Sequence, residues 1–107
     1  MAQKVVLFRL SRPKAREVIR ACAANSAQVH FTDHANKQMK VRRITPMQVL
    51  KCLKTGAIIE GPAKSIHGNW ECTLLGISAG MQIGIPLAIE LSRERNEIVI
   101  ITAYLVG

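Results

Sequence analysis

The chain has 107 residues, 49% of them apolar, and a formal net charge of +8. That length suits one domain with a modest core, and the apolar fraction excludes a disordered polyelectrolyte. Apolar runs fall far short of the roughly 20 residues that cross a bilayer, and Lys4 and Arg9 fit no leader, so neither a membrane span nor a signal peptide is expected.

In chain order, Lys4 to Leu10 is a β-prone run, so residues 1–11 read as an extra N-terminal strand or arm. Ser11 is placed to cap a helix with Pro13 in its first turn, running to about Asn25. Ala15, Val18, Ile19 and Cys22 share one face of it, while Arg12, Arg16 and Arg20 repeat every four residues on a neighbouring stripe, solvated or bound to phosphate. Gln28 to Phe31 reads as a short strand, and Thr32 caps a second helix that gains an acid in its first turn from Asp33 and ends at Ile44. Thr45-Pro46 repeats the cap-then-proline start, with Met47, Leu50 and Leu53 as the apolar face of a third helix. Gly56 stands where a left-handed helix stop is wanted.

Beyond Gly56 the period becomes alternating. Ala57 to Glu60 reads as a strand, followed by a loop from Gly61-Pro62 to Gly68-Asn69. Trp70 to Ile77 is the next strand, with Trp70, Cys72 and Leu74 on one side. Ile83, Ile85, Leu87, Ile89 and Leu91 alternate as a strand with one buried face, and Pro86, which lacks a ladder donor, means that the strand lies at an edge or carries a bulge. Ser92 to Asn96 is a hairpin loop, and Glu97 to Tyr104 is the last strand. With no repeat, linker or low-complexity tract, residues 1–107 form one α+β domain: N-terminal helices packed on one antiparallel sheet of about four strands.

Charge is unevenly distributed along the chain. Residues 1–54 hold 12 Lys and Arg against Glu17 and Asp33, whereas residues 55–107 hold Lys64, Arg93 and Arg95 against five glutamates. Such asymmetry concentrates positive potential on one surface and favours a polyanionic partner, nucleic acid above all. Cys22, Cys52 and Cys72 form no close pair, an odd count that argues for a reducing, cytoplasmic home and for thiols used as small buried hydrophobes. His67 and Cys72 with His30 and His34 match no common zinc spacing, so no metal and no small-molecule cofactor is expected.

Local chemistry concentrates between Phe31 and Thr45. His34, Gln38 and Arg42, at i, i+4 and i+8, present an imidazole, an amide and a guanidinium on one helical stripe, with Lys37, Lys40 and Arg43 beside it. An imidazole exchanges protons near neutral pH and a guanidinium holds a phosphate, which together suit cleavage of RNA through its own 2′-hydroxyl. The plainer reading makes His34 a first-turn histidine, Gln38 structural and Trp70 a core anchor rather than a base-stacking platform.

The segment Phe31-Thr32-Asp33-His34-Ala35 with Met39, Arg42 and Ile44-Thr45, followed by Gly56, Ile58-Ile59-Glu60, Gly68-Asn69-Trp70 and Ile98 through Tyr104, resembles the family catalogued as domain of unknown function 4258. That family looks related to RelE-like bacterial endonuclease toxins, which combine N-terminal helices with a four-stranded antiparallel sheet. The resemblance implies metal-independent RNA cleavage by a toxin that a partner antitoxin, here an acidic protein, neutralises. It makes His34 and Arg42 active-site candidates, with Thr102 and Tyr104 on the same sheet surface. Arg12, Arg16, Arg20, Lys37, Gln38, Lys40 and Arg43 would then hold the RNA. Two departures, Gln38 in place of the usual arginine and no basic residue at Gly80-Met81-Gln82, favour the alternative of a catalytically inactive module that binds nucleic acid or a partner.

Overall fold

The computed structural model describes residues 9–107, so the expected strand over Lys4–Leu10 lies outside the described residues except for Arg9 and Leu10, and Leu10 is buried in the core. Ser11 caps α1 (Arg12–Ala23), its hydroxyl accepting from the Lys14 N–H, and the helix buries Ala15, Val18, Ile19, Cys22 and Ala23. A 3-10 turn (Ser26–Gln28) leads into β1 (Val29–Phe31). Thr32 caps α2 (Asp33–Arg42), and Thr45 caps α3 (Pro46–Thr55) in a reciprocal capping box with Gln48.

Two expectations about α3 need correction. Its buried face is Val49, Cys52 and Leu53, while Met47 is 80% exposed. Gly56 is extended (φ −78°, ψ −179°), not left-handed. Glycine is needed there because a Cβ would stand 2.5 Å from the Leu75 carbonyl oxygen and 2.7 Å from that of Cys52. The left-handed helix stop falls instead on Arg43, with φ 58° and ψ 40°.

The remaining strands are β2 (Ala57–Lys64), β3 (Trp70–Ser78), β4 (Met81–Glu90), β5 (Glu97–Ile100) and β6 (Tyr104–Val106). They form one sheet in the order β1-β5-β4-β3-β2, with β6 also paired to β4. The chain is therefore α+β, but its sheet is mixed and six-stranded where about four antiparallel strands were expected. Two features account for the difference, and a third lengthens a strand. β1 joins β5 in parallel. The expected last strand is split into β5 and β6. β2 continues past Glu60 to Lys64 through two register shifts, with Gly61 at φ 80°.

Pro86 explains the split. β4 is not an edge strand: it pairs with β3 on one side and with β5 and β6 on the other. The Pro86 carbonyl accepts from both Ile101 N–H (3.0 Å) and Thr102 N–H (3.5 Å), so its donor-less nitrogen faces the same side. Two successive N–H groups aimed at one carbonyl are the signature of a bulge, which here lies in the partner strand and removes the need for a proline donor.

Alternation along the strands gives the sheet two faces. Leu74, Ile85, Leu87, Ile89, Ile98 and Ile100 are fully buried on one. α3 packs there so closely on β3 that a Cβ on Gly76 would meet Cys52, and α1 packs against α3 and β2. Arg12 straps α1 to the kink in β2, its Nε donating to the Gly61 carbonyl at 2.6 Å and its Nη2 to that of Ile59 at 3.5 Å.

Because backbone oxygens cannot yield as a flexible side chain does, Gly56→Ala should cost about 1–3 kcal/mol of stability, measured as a lower urea midpoint at unchanged slope.

Candidate nucleic-acid interface

Both ends of α2 are tied to the interrupted stretch between β5 and β6. At the start, Thr32 N–H donates to the Ile100 carbonyl at 3.3 Å, and its hydroxyl lies 3.2 Å from the carbonyls of both Ile100 and Ile101. At the far end, Arg42 Nη1 donates to the Ala103 carbonyl at 2.8 Å. Ala35 and Met39 are buried between these ties, so the helix presents its other side to solvent.

The sequence-derived candidates divide accordingly. Arg42 is half-buried and adjoins the segment that carries Thr102 and Tyr104. Thr102 Oγ1 is buried without a hydrogen-bond partner, and the Tyr104 ring stands against Gly84, where a Cβ would strike it. His34 is exposed in the first turn of α2, eight residues before Arg42 and hence about 12 Å from it along the axis. Lys37, Lys40, Arg43 and Arg20 are exposed, and Gln38 is half-buried. Within the arginine stripe of α1, Arg12 is exposed but donates to two backbone carbonyls, and Arg16 has its Nε buried without a partner.

Where α2 turns into α3, Asn36, Met39, Lys40, Arg43, Ile44, Thr45 and Pro46 line a groove of about 530 Å³. The turn is closed by Arg43 N–H to the Lys40 carbonyl and Ile44 N–H to the Met39 carbonyl, with Arg43 in the left-handed region. That conformation suits glycine and costs a side-chain-bearing residue about 1 kcal/mol, yet the position holds an exposed cation. Asn36 carries no signal in the sequence, and Thr45 is legible there as a helix cap and not as a groove residue. Only the knowledge that the two helices meet at an angle brings them together.

The three cysteines are free and buried. Burial raises the pKa of each thiol, and for Cys72 takes it from 9.0 to about 11, with Arg12 a smaller opposing influence. No cluster of three or more His, Cys, Asp or Glu suited to a metal occurs among the described residues.

Two measurements follow from these contacts. Below pH 9 the Cys72 thiol is protonated in both folded and unfolded chains. From about 9 to about 11 only the unfolded chain gives up the proton, so stability falls as pH rises. Titrating the urea midpoint across that range should reveal a loss of about 3 kcal/mol from this group, absent in Cys72→Ala. Arg42→Ala should lower stability by about 1–2 kcal/mol because the Ala103 carbonyl loses its charged donor, and thermal unfolding would register the change.

A family model matches residues 31–105, and its description is Domain of unknown function (DUF4258). No curated protein and no solved structure matches the chain.

Proposed function

The chain belongs to the DUF4258 family, and we propose that it binds RNA through the exposed side of α2 and the groove at the α2–α3 turn. The groove carries the reading, because Lys40 and Arg43 line it and Arg43 is kept against backbone preference. Charge supports it further. The helices α1 to α3, with the Arg43 cap of α2, carry ten Lys and Arg against Glu17 and Asp33, while Glu60, Glu71, Glu90 and Glu97 belong to the strands. A phosphate chain would be drawn to the helices, with Lys37, Lys40, Arg43 and Arg20 available and Arg12 and Arg42 already engaged by the fold.

A second reading adds metal-independent cleavage of the toxin–antitoxin type on a RelE-like fold in the cytoplasm. The exposure of His34 favours it. His34 would take the proton of a ribose 2′-hydroxyl as that oxygen attacks the adjacent phosphorus, and the bond to the 5′-oxygen of the next nucleotide would break, that oxygen taking a proton from water to leave as a 5′-hydroxyl opposite a 2′,3′-cyclic phosphate. Lys37, three residues on along the same helix, is better placed than Arg42 to steady the charge. An acidic antitoxin would compete with RNA for these cations.

The test is retention of RNA by the purified chain in EDTA across a salt series. Binding should weaken steeply with salt, and Lys37→Glu with Lys40→Glu should reduce it by at least about tenfold. Arg43→Gly should also weaken it while leaving stability unchanged or slightly higher, which separates an interface role from a folding defect. No retention at low salt overturns the proposal. Cleavage by wild type and none by His34→Ala supports the second reading, and equal cleavage by both removes His34 from it.

A further inference from the structure

The sheet face turned away from α1 and α3 has a chemistry of its own. Cross-strand registers lay out its rows: Glu71 beside Ala88 and Val99, Thr73 beside Pro86, Leu75 beside Gly84 and Tyr104, Ile77 beside Gln82 and Val106, and Glu90 beside Glu97. Its middle is apolar and partly open, with Leu75, Pro86, Val99, Ile101 and Tyr104 half-buried and Ile77 59% exposed. Glu60, Glu71, Glu90 and Glu97 stand around that middle, four of the seven acids in the chain.

Of these four, among the described residues, only Glu97 forms an ion pair, meeting His30 and, at 3.8 Å, Arg95. Among the described residues no cation forms an ion pair with Glu60, Glu71 or Glu90, and Glu60 has only a 3.4 Å contact from the Thr73 hydroxyl. A groove of about 520 Å³ runs between Glu60 and Glu71, floored by Thr73, Pro86 and Ile101. An apolar centre ringed by four carboxylates, three of them without an ion pair, is poorly suited to a phosphate chain. It is complementary to a peptide whose side chains alternate between apolar and cationic.

We infer that this sheet face is a docking surface for a basic, amphipathic segment of a partner protein, with a lysine or arginine of that segment seated between Glu60 and Glu71. The site lies on the opposite side of the sheet from α1 and α3, so a partner there leaves the cationic helices free. It differs in charge from an acidic antitoxin, which would seek the helices.

The experiment uses the full chain, isotope-labelled for NMR, titrated with a short synthetic peptide of alternating lysine and leucine and, separately, with one of alternating glutamate and leucine. Expected are shifts at Leu75, Val99, Ile101 and Tyr104 with the lysine peptide only, and an affinity loss of about tenfold or more in Glu60→Lys/Glu71→Lys. Both positions are exposed strand sites, and unchanged circular dichroism would establish that the variant folds. Lys37→Glu/Lys40→Glu should bind the peptide as wild type does. The inference is overturned if the shifts map to α1, α2 or α3, if Glu60→Lys/Glu71→Lys binds the lysine peptide as well as wild type does, or if RNA shifts the sheet residues instead. Concentration-dependent self-association through this face would also overturn it, by assigning the face to a second copy. RNA retention by the helices neither depends on this outcome nor decides it.

Discussion

A missing proton on the Pro86 nitrogen organises much of this molecule. Since β4 cannot donate at that point, the strand opposite leaves the ladder for residues 101–103, and the carbonyls around that interruption become acceptors for something else. Thr32 and Arg42 take them, which seats α2 at its two ends on one short irregular segment. The direction of α2, the exposure of His34, and the turn that carries Arg43 all descend from that seating. A more regular sheet would have closed β5 and β6 into one strand and left α2 without its anchor points.

Local features were the most legible in the sequence. Ser11, Thr32 and Thr45 cap their helices as read, because a cap needs only a hydroxyl and the first turn that follows it. The alternation from Ile83 to Ile89 likewise marks the buried face, since a strand period of two repeats at every step, whereas Leu91, expected to continue it, lies beyond β4 and is exposed. Non-local features were not legible. Gly56 was read as a turn glycine when its real constraint is the approach of β3, and Met47 was placed in the core because its spacing matches Leu50 and Leu53. Pro86 was correctly read as incompatible with an ordinary ladder, but one chain cannot reveal which strand will absorb the irregularity.

The candidate site shows the same division. Lys37, Lys40 and Arg43 could be assigned to a solvent face from helical spacing alone, and they are exposed. The i, i+8 relation of His34 and Arg42 shares a stripe but not a location, since two turns of helix separate them. Arg12 lost its presumed freedom to carbonyls almost fifty positions away in the chain, a contact that no periodicity encodes. The glutamates of the open face were visible as a negative half of the sequence. Only the strand registers show that four of them share one surface.

Among the described residues, the strands at the two ends of the strand order are poor templates for further pairing. β1 offers only three residues, and β2 is broken by shifts at Glu60 and Ala63 with Gly61 in a left-handed conformation between them. Neither border presents the long, straight row of free amides and carbonyls on which a stray chain could grow a cross-β stack. Those kinks act as a safeguard against fibril-like assembly in a domain rich in isoleucine and valine.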